Sequence, residues 1–255
     1  MRITDPAEIR AILETDRAWA VYALGDLAPA FFEHCDWFRT AGDASALALL
    51  YRGYERPILF TLGPADHVDR LLDEIDLVDE MFLHVRPEVV PLIKQRYRVC
   101  NEMHMWRMLV DPTAYRPADV DGTTRLDLAD VPAIERLYAT GEPSGESPDF
   151  FYPSMVERGV FFGLRDGNNV VAVAGTHLVS IEESVGTIGN VYTHPARRGH
   201  GLAARVTSAV TSELLRTGVR TVGLNVAQGN AVALRLYERL GFARYCAFCE
   251  GIATR

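Results

Sequence analysis

Ile9, Ile12 and Leu13 recur at the spacing of one helix face, and the pattern predicts a helix over 5–27. The chain then changes period. Short apolar runs predict strands at 37–40, 46–51 and 58–62. Val68, Leu71 and Leu72 share one side of a helix expected over 65–75. A strand follows at 81–85, a helix near 89–96 and a long strand around 103–110. Residues 111–122 carry two prolines, a glycine and three aspartates with no apolar periodicity, which is the composition of a linker.

The second half repeats this order. A short strand at 124–127 precedes a helix carrying Val131, Ile134 and Leu137, for which Asp130 is the expected cap. Residues 141–153 are polar and are expected to form a loop. Asp166-Gly-Asn-Asn169 between apolar runs predicts a hairpin of strands 160–165 and 170–181. A third strand is expected over 186–193, then a helix over 202–217 with Leu202, Val206, Ala209, Val210 and Leu214 on one face. Strand 221–226, helix 231–240 and a last strand from Ala243 complete the chain. Both halves therefore read strands, helix, strand, helix, strand. The expected fold class is α/β, with an α+β mixed sheet in two similar halves. The expected domains are 1–112 and 123–255, joined by a linker at 113–122.

Composition narrows the function. The 255 residues suffice for one large or two modest domains without disulfide or metal staples. Lys+Arg 26 against Asp+Glu 34 leaves a net charge of −8, which argues against a nucleic-acid binder, since that affinity comes mainly from Lys and Arg. The N-terminus has no basic start followed by an apolar run, and no stretch is apolar for long enough to span a membrane. Four cysteines are too few for a disulfide scaffold, so a reduced, cytoplasmic setting is expected.

The chemistry concentrates after the third strand of the second half. Val191, Tyr192 and Thr193 end that strand, and Pro195 breaks it. A helix then begins inside the turn Arg198-Gly-His-Gly-Leu-Ala-Ala204. The first N–H groups of a helix have no intrahelical partner. Gly199 and Gly201 let the backbone approach a ligand, and Ala203 keeps the helix start slim. Such a ring of donors at the positive end of a helix dipole suits a pyrophosphate. Gly199, Gly201 and Ala204 also fit the dinucleotide fingerprint, but the strand that should end in an acid reads Thr221-Val-Gly-Leu-Asn-Val226.

Arg198-Gly-His-Gly-Leu-Ala203 resembles the Arg/Gln-x-x-Gly-x-Gly/Ala signature of the GNAT superfamily of acyl-CoA-dependent N-acyltransferases. A second segment supports it. Asn230, Ala233, Tyr237, Gly241 and Phe242 match the family's Asn-x-x-Ala-x-x-x-Tyr-x-x-x-Gly-Phe pattern, and Tyr237 lies two helical turns beyond Asn230. The resemblance implies the GNAT fold and acetyl-CoA as co-substrate, with no metal. It implies that the backbone of Arg198, Gly199, His200, Gly201, Leu202, Ala203 and Ala204 holds the CoA pyrophosphate. It also implies that Val191, Tyr192 and Thr193 pair with the pantetheine arm, in the manner of strand addition. Asn230 would contact the CoA arm and Tyr237 would sit near the thioester sulfur. Taken alone, Asn230 reads as an N-cap and Tyr237 as a core aromatic.

The implied activity is transfer of an acetyl group to a primary amine of a small molecule or amino acid, by direct attack on the thioester. Tyr237 would protonate the leaving thiolate, and a backbone group near Val191 would donate to the oxyanion. The base is less plain. Family members often place a Glu on the strand before the turn, near 187–189 here, and no carboxylate is there. His177 on the neighbouring strand has a suitable pKa class. The leading expectation is a water chain to bulk, with a water held by Asn190 and Tyr192, since a lone strand histidine reads more often as a satisfied core or surface residue; Glu182 and Glu183 at a hairpin tip are expected to be solvated. His194 is expected on the loop surface, and His200 is expected to act through its backbone. Cys246 and Cys249 fall three apart on a strand, so they face opposite sides and make no metal pair. The expected protein partner state is a monomer or homodimer.

The first half should carry its turn between Leu62 and Ala65, yet it has one glycine, Gly63, and an Asp at 66. It is expected to be a degenerate GNAT-like half without CoA. The tandem arrangement is similar to mycothiol-synthase-like and glycine-N-acyltransferase-like members. The competitors are a non-catalytic acyl-CoA sensor and a binding module for protein tails.

Overall fold

In a computed structural model, residues 1–40, 46–142, 145–148 and 150–255 of the chain are described. Pro143, Ser144 and Asp149 of the expected polar loop fall outside them.

The chain opens with β1 (Arg2–Ile3) and α1 (Pro6–Leu13). The Asp5 carboxylate accepts the Ala7 N–H at 2.9 Å and starts α1, whose Ile9, Ile12 and Leu13 are buried. The single helix expected over 5–27 breaks here. Thr15 Oγ1 donates to the Ile12 carbonyl at 2.7 Å, and the Asp16 carboxylate accepts the Trp19 N–H at 3.1 Å. Such local bonds offer the backbone an alternative to the helix. Helix resumes only as α2 (Val21–Gly25) and α3 (Pro29–Phe32).

Three antiparallel strands follow, β2 (Cys35–Arg39), β3 (Leu47–Tyr51) and β4 (Ile58–Leu62). Every residue of β3 is buried, as a central strand requires. The helix α4 (Ala65–Glu74) crosses over to β5 (Glu80–Val85), which pairs parallel to β4. After α5 (Val90–Lys94), the chain runs into the long strand β6 (Arg98–Val110).

The segment read as a linker is hydrogen-bonded to two helical segments of the second half. Tyr115 Oη donates to the Ser208 carbonyl at 2.9 Å, the Ala118 N–H donates to Ser208 Oγ at 2.9 Å, and the Arg116 N–H donates to the Leu240 carbonyl at 3.0 Å. Small hydroxyl residues on the helix beneath it supply partners, so this stretch is an ordered strap.

The second half begins with β7 (Thr124–Arg125) and α6 (Val131–Ala139). A capping box precedes α6: the Asp127 carboxylate accepts the Ala129 N–H at 2.8 Å, while Asp130 accepts the Asp127 N–H at 3.0 Å. The leading cap is thus Asp127, not Asp130. A helix that the apolar spacing does not predict, α7 (Pro153–Arg158), precedes β8 (Phe162–Asp166), β9 (Asn169–Ser180) and β10 (Val185–Thr193). These strands and β7 are successively antiparallel. Then come α8 (Leu202–Arg216), β11 (Thr221–Ala227) parallel to β10, α9 (Ala231–Arg239) and β12 (Phe242–Thr254). Tyr138 of α6, Met155 of α7 and Phe161 pack with Val173 and Tyr192 of the sheet.

The mixed sheet and the repeated strand–helix order match the expected fold class. The compact units are not consecutive stretches, however. The first comprises Met1–Arg107, Val226–Asn230 and Arg244–Arg255; the second comprises Met108–Asn225 and Ala231–Ala243. The C-terminal residues belong with the first unit because β12 pairs antiparallel with β5, from Cys249↔Val85 to Thr254↔Glu80. No helix among the described residues is long and apolar enough to cross a membrane.

Candidate active site

The end of β10 and the start of α8 form the frame. The parallel ladder between β10 and β11 runs only from Val185↔Thr221 to Ile188↔Leu224. Beyond Ile188, β10 pairs only with β9 among the described residues, so its other edge has no strand partner over Gly189 to Thr193. A short 3₁₀ turn, Pro195–Arg197, follows; His194 caps it by accepting the Ala196 N–H on Nδ1 at 3.2 Å, a role beyond the expected loop surface. Gly199 and Gly201 then adopt φ of +82° and +74°, and a β-carbon on either would meet nothing within 4 Å. That left-handed turn delivers the chain into α8 with the first amides uncovered. Leu202, Ala203 and Ala204 are half-buried, while His200 is exposed.

Arg198 folds back on the strand. Its Nε donates to the Thr193 carbonyl at 3.2 Å, one terminal nitrogen bonds Glu146 at 2.9 Å, and the guanidinium lies 5.6 Å from the Tyr192 ring centroid. The Glu146 bond raises the Arg198 pKa above its ordinary value. Thr193 Oγ1 is buried without a hydrogen-bond partner.

Two β-bulges interrupt the ladder between β9 and β10. Thr187 pairs with Leu178 and Ile188 with Thr176, so His177 is the extra residue on β9. Gly189 pairs with Gly175 and Tyr192 with Val173, so β10 carries an extra residue at Asn190–Val191. Asn190 takes the left-handed φ of +54°. Bulges of this kind re-aim side chains. The His177 ring lies against Gly189: a β-carbon there would fall within 3.0 Å of Nε2, Cε1 and Cδ2. Phe150 meets the imidazole edge-on at 5.7 Å. Asn190 and Tyr192 both reach α6, but differently. The Asn190 carbonyl accepts from Tyr138 Oη at 2.9 Å, and the Tyr192 ring packs on the Tyr138 ring at 5.9 Å.

Tyr237 is buried on α9, 6.1 Å from the Phe242 ring, and burial pushes its hydroxyl up to about 12. Ala233 is half-buried one turn earlier, and the Asn230 N–H bonds the Ala227 carbonyl at 2.9 Å just before the helix.

Other singled-out residues lie elsewhere. Glu183 is 7% exposed, not solvated, because the Ile181–Ser184 turn folds it inward; its N–H bonds Ser180 Oγ at 3.2 Å. Cys246 and Cys249 are both buried and free. Cys249 Sγ lies 3.5 Å from His104 Nδ1, beside Glu102, and Lys94 gives Glu102 its counter-charge. Sequence spacing could not reveal this trio, since His104 comes from a different strand.

The first unit repeats the strand–turn–helix order without the donors. Trp19 Nε1 donates to the Thr61 carbonyl at 2.8 Å, occupying the backbone at the end of β4. Pro64 stands at the helix start and Asp66 in its first turn. Nearby Arg107 is fully buried, donating to the Trp19 carbonyl at 3.2 Å and lying 2.7 Å from His84 Nε2.

The sequence profile described as "Acetyltransferase (GNAT) family" matches residues 131–242. The [Ribosomal protein bS18]-alanine N-acetyltransferase of Escherichia coli (strain K12) is 31% identical over 117 residues, covering 46% of this chain and 77% of that protein. The chain belongs to the GNAT acetyltransferase family. A mycothiol acetyltransferase of Streptosporangium roseum is 41% identical over 63 residues, which is 25% of this chain and 19% of that protein. Among solved structures, a GCN5-related N-acetyltransferase from Kribbella flavida superposes with a TM-score of 0.60 at 18% identity, covering 91% of this chain and 95% of that one. A tandem GNAT protein from the clavulanic acid biosynthesis pathway gives 0.58 at 14% identity, covering 100% and 97%. These two likenesses establish the fold.

This GNAT protein is therefore an acyltransferase, of a family that uses acetyl-CoA as co-substrate. The relatives are named as enzymes.

Proposed function

We propose that this acetyltransferase moves an acetyl group from acetyl-CoA to the primary amine of a small molecule or amino acid, in the cytoplasm. The observation that carries the reading is the splayed edge of β10 leading into the left-handed glycine turn and α8. The residues fit the carrier. The turn has open space where β-carbons would stand, and the strand before it has an edge with no strand partner and a buried Thr193 hydroxyl with no hydrogen-bond partner among the described residues.

In this reading Arg198 through Ala204 hold the pyrophosphate by their backbone. Val191, Tyr192 and Thr193 pair with the pantetheine, and Asn230 and Ala233 flank its path. When bound, acetyl-CoA supplies the thioester whose carbonyl carbon the amine attacks. His177 takes the proton that the amine nitrogen loses as the C–N bond forms. What supports this role is that its imidazole fills the space at Gly189, within the 187–189 stretch where the family's carboxylate is missing. Tyr237 gives a proton to the sulfur as the C–S bond breaks. A tyrosine phenol is protonated at neutral pH, as a donor requires, and burial moves its titration further up, to about 12.

The first unit, in the same reading, is a degenerate GNAT-like half that takes no CoA. The activity is tested by free-thiol release from acetyl-CoA against a panel of small amines and amino acids. Thiol release that depends on one class of amine supports the reading. Saturable acetyl-CoA binding without release from any amine overturns it.

A further inference from the structure

Asn190 is 6% exposed, and its carbonyl and its Nδ2 both have partners. Its carbonyl accepts from Tyr138 Oη at 2.9 Å, and its Nδ2 lies 3.5 Å from the Met155 sulfur. Its Oδ1 is buried and accepts no hydrogen bond among the described residues. A buried acceptor with no donor is rare in a folded protein and calls for an explanation. The backbone calls for one as well. A φ of +54° inside a strand is unusual for a residue with a side chain, and such outliers gather at ligand sites. Tyr138 and Met155, from two different helices, hold the bulge in that state. The neighbouring residue is Gly189, against which the His177 ring lies.

We propose that Asn190 Oδ1 is the receptor for the acceptor's amino group, and that this subsite takes an unhindered primary amine in its uncharged form. The assignment rests on the amine-acetylation reading above. A primary amine has two N–H groups. One donates to Asn190 Oδ1, and the other faces His177 and is the proton given up as the C–N bond forms. The lone pair is left for the thioester carbonyl. A carboxamide is a neutral acceptor, so it orients the amine without holding it as an ammonium, which could not attack. The apolar surroundings of Met155 and Phe150 act the same way, since burial disfavours the charged form.

The test is steady-state kinetics on the full chain, with the amine varied at saturating acetyl-CoA and the reverse. Asn190→Gly keeps a residue at ease with positive φ and removes only the carboxamide. It is expected to raise the KM for the amine about ten-fold while leaving the KM for acetyl-CoA and the melting temperature near the parent values. Asn190→Ser, with a shorter acceptor, should recover part of that loss. Asn190→Asp should hold the ammonium, so the rising limb of kcat against pH moves upward by about one unit. An unchanged amine KM in Asn190→Gly, equal rises in both KM values, or an unmoved pH limb in Asn190→Asp each overturns the assignment while the parent still acetylates amines. A parent that acetylates no amine removes the functional reading itself, and the subsite with it.

Discussion

The imidazole of His177 occupies the space that a β-carbon on Gly189 would need, closing to under 3.0 Å on three ring atoms. The two residues lie on adjacent strands, and the β9 bulge turns the ring onto its neighbour. Glycine at 189 is what makes room for the His177 ring, the base of the proposed reaction. Gly189→Ala is expected to cost about 1–3 kcal/mol in stability, as overpacking does, and to lower kcat by about 10²-fold through the displaced ring. Adding His177→Ala should restore the melting temperature but not the rate. Thermal melts and thiol release on the single and double variants check this; a fully active Gly189→Ala removes His177 as the base.

Tyr237 makes a separate prediction in two parts. Tyr237→Phe should lower kcat by roughly 10²–10⁴-fold with acetyl-CoA affinity nearly unchanged, read by kinetics and calorimetry. The raised pKa also has a stability consequence. Burial favours the neutral phenol, so between its ordinary value of 10.0 and about 12 the folded chain holds a proton that the unfolded chain has lost. Stability contributed by this group is present below pH 10 and falls as pH rises through that window. Alkaline denaturation should therefore be shallower in Tyr237→Phe than in the parent.

The glycine turn and α9 were legible because each demands particular residue types at fixed offsets: Gly199 and Gly201 for positive φ, Tyr237 two turns after Asn230. The His177–Gly189 contact was not legible. Alternation along a strand assigns faces only while the register holds, and the bulges at His177 and Asn190 break it. Glu183 was misread for a related reason, since a hairpin tip need not point outward. The breaks after α1 came from Thr15 and Asp16, whose side chains compete locally for backbone groups that the apolar spacing assigns to helix.

Gly201→Asp separates fold from binding. Open space surrounds the position, so the new side chain is accommodated, and the left-handed φ costs about 1–2 kcal/mol. The new carboxylate would face the pyrophosphate. CoA affinity should fall about 100-fold with the melting temperature little changed, whereas Gly201→Ala should lose far less. Calorimetric titration of both variants measures the difference; equal losses would assign the effect to backbone strain alone.

The last prediction concerns the first unit. Its turn after β4 offers Gly63 alone, and Pro64 contributes no N–H to the start of α4. Asp66 in the first turn places a negative charge where a phosphate would sit. Trp19 has taken the Thr61 carbonyl, so the backbone that would pair with a pantetheine arm is already bonded within the chain. Each difference removes a distinct contribution: donors, charge complementarity and strand-edge pairing. Calorimetry should accordingly give one acetyl-CoA per chain. Gly63→Ala should leave that stoichiometry and the affinity unchanged, while Gly201→Asp should weaken the one site about 100-fold. A stoichiometry of two in the parent would show that the first half still binds the carrier.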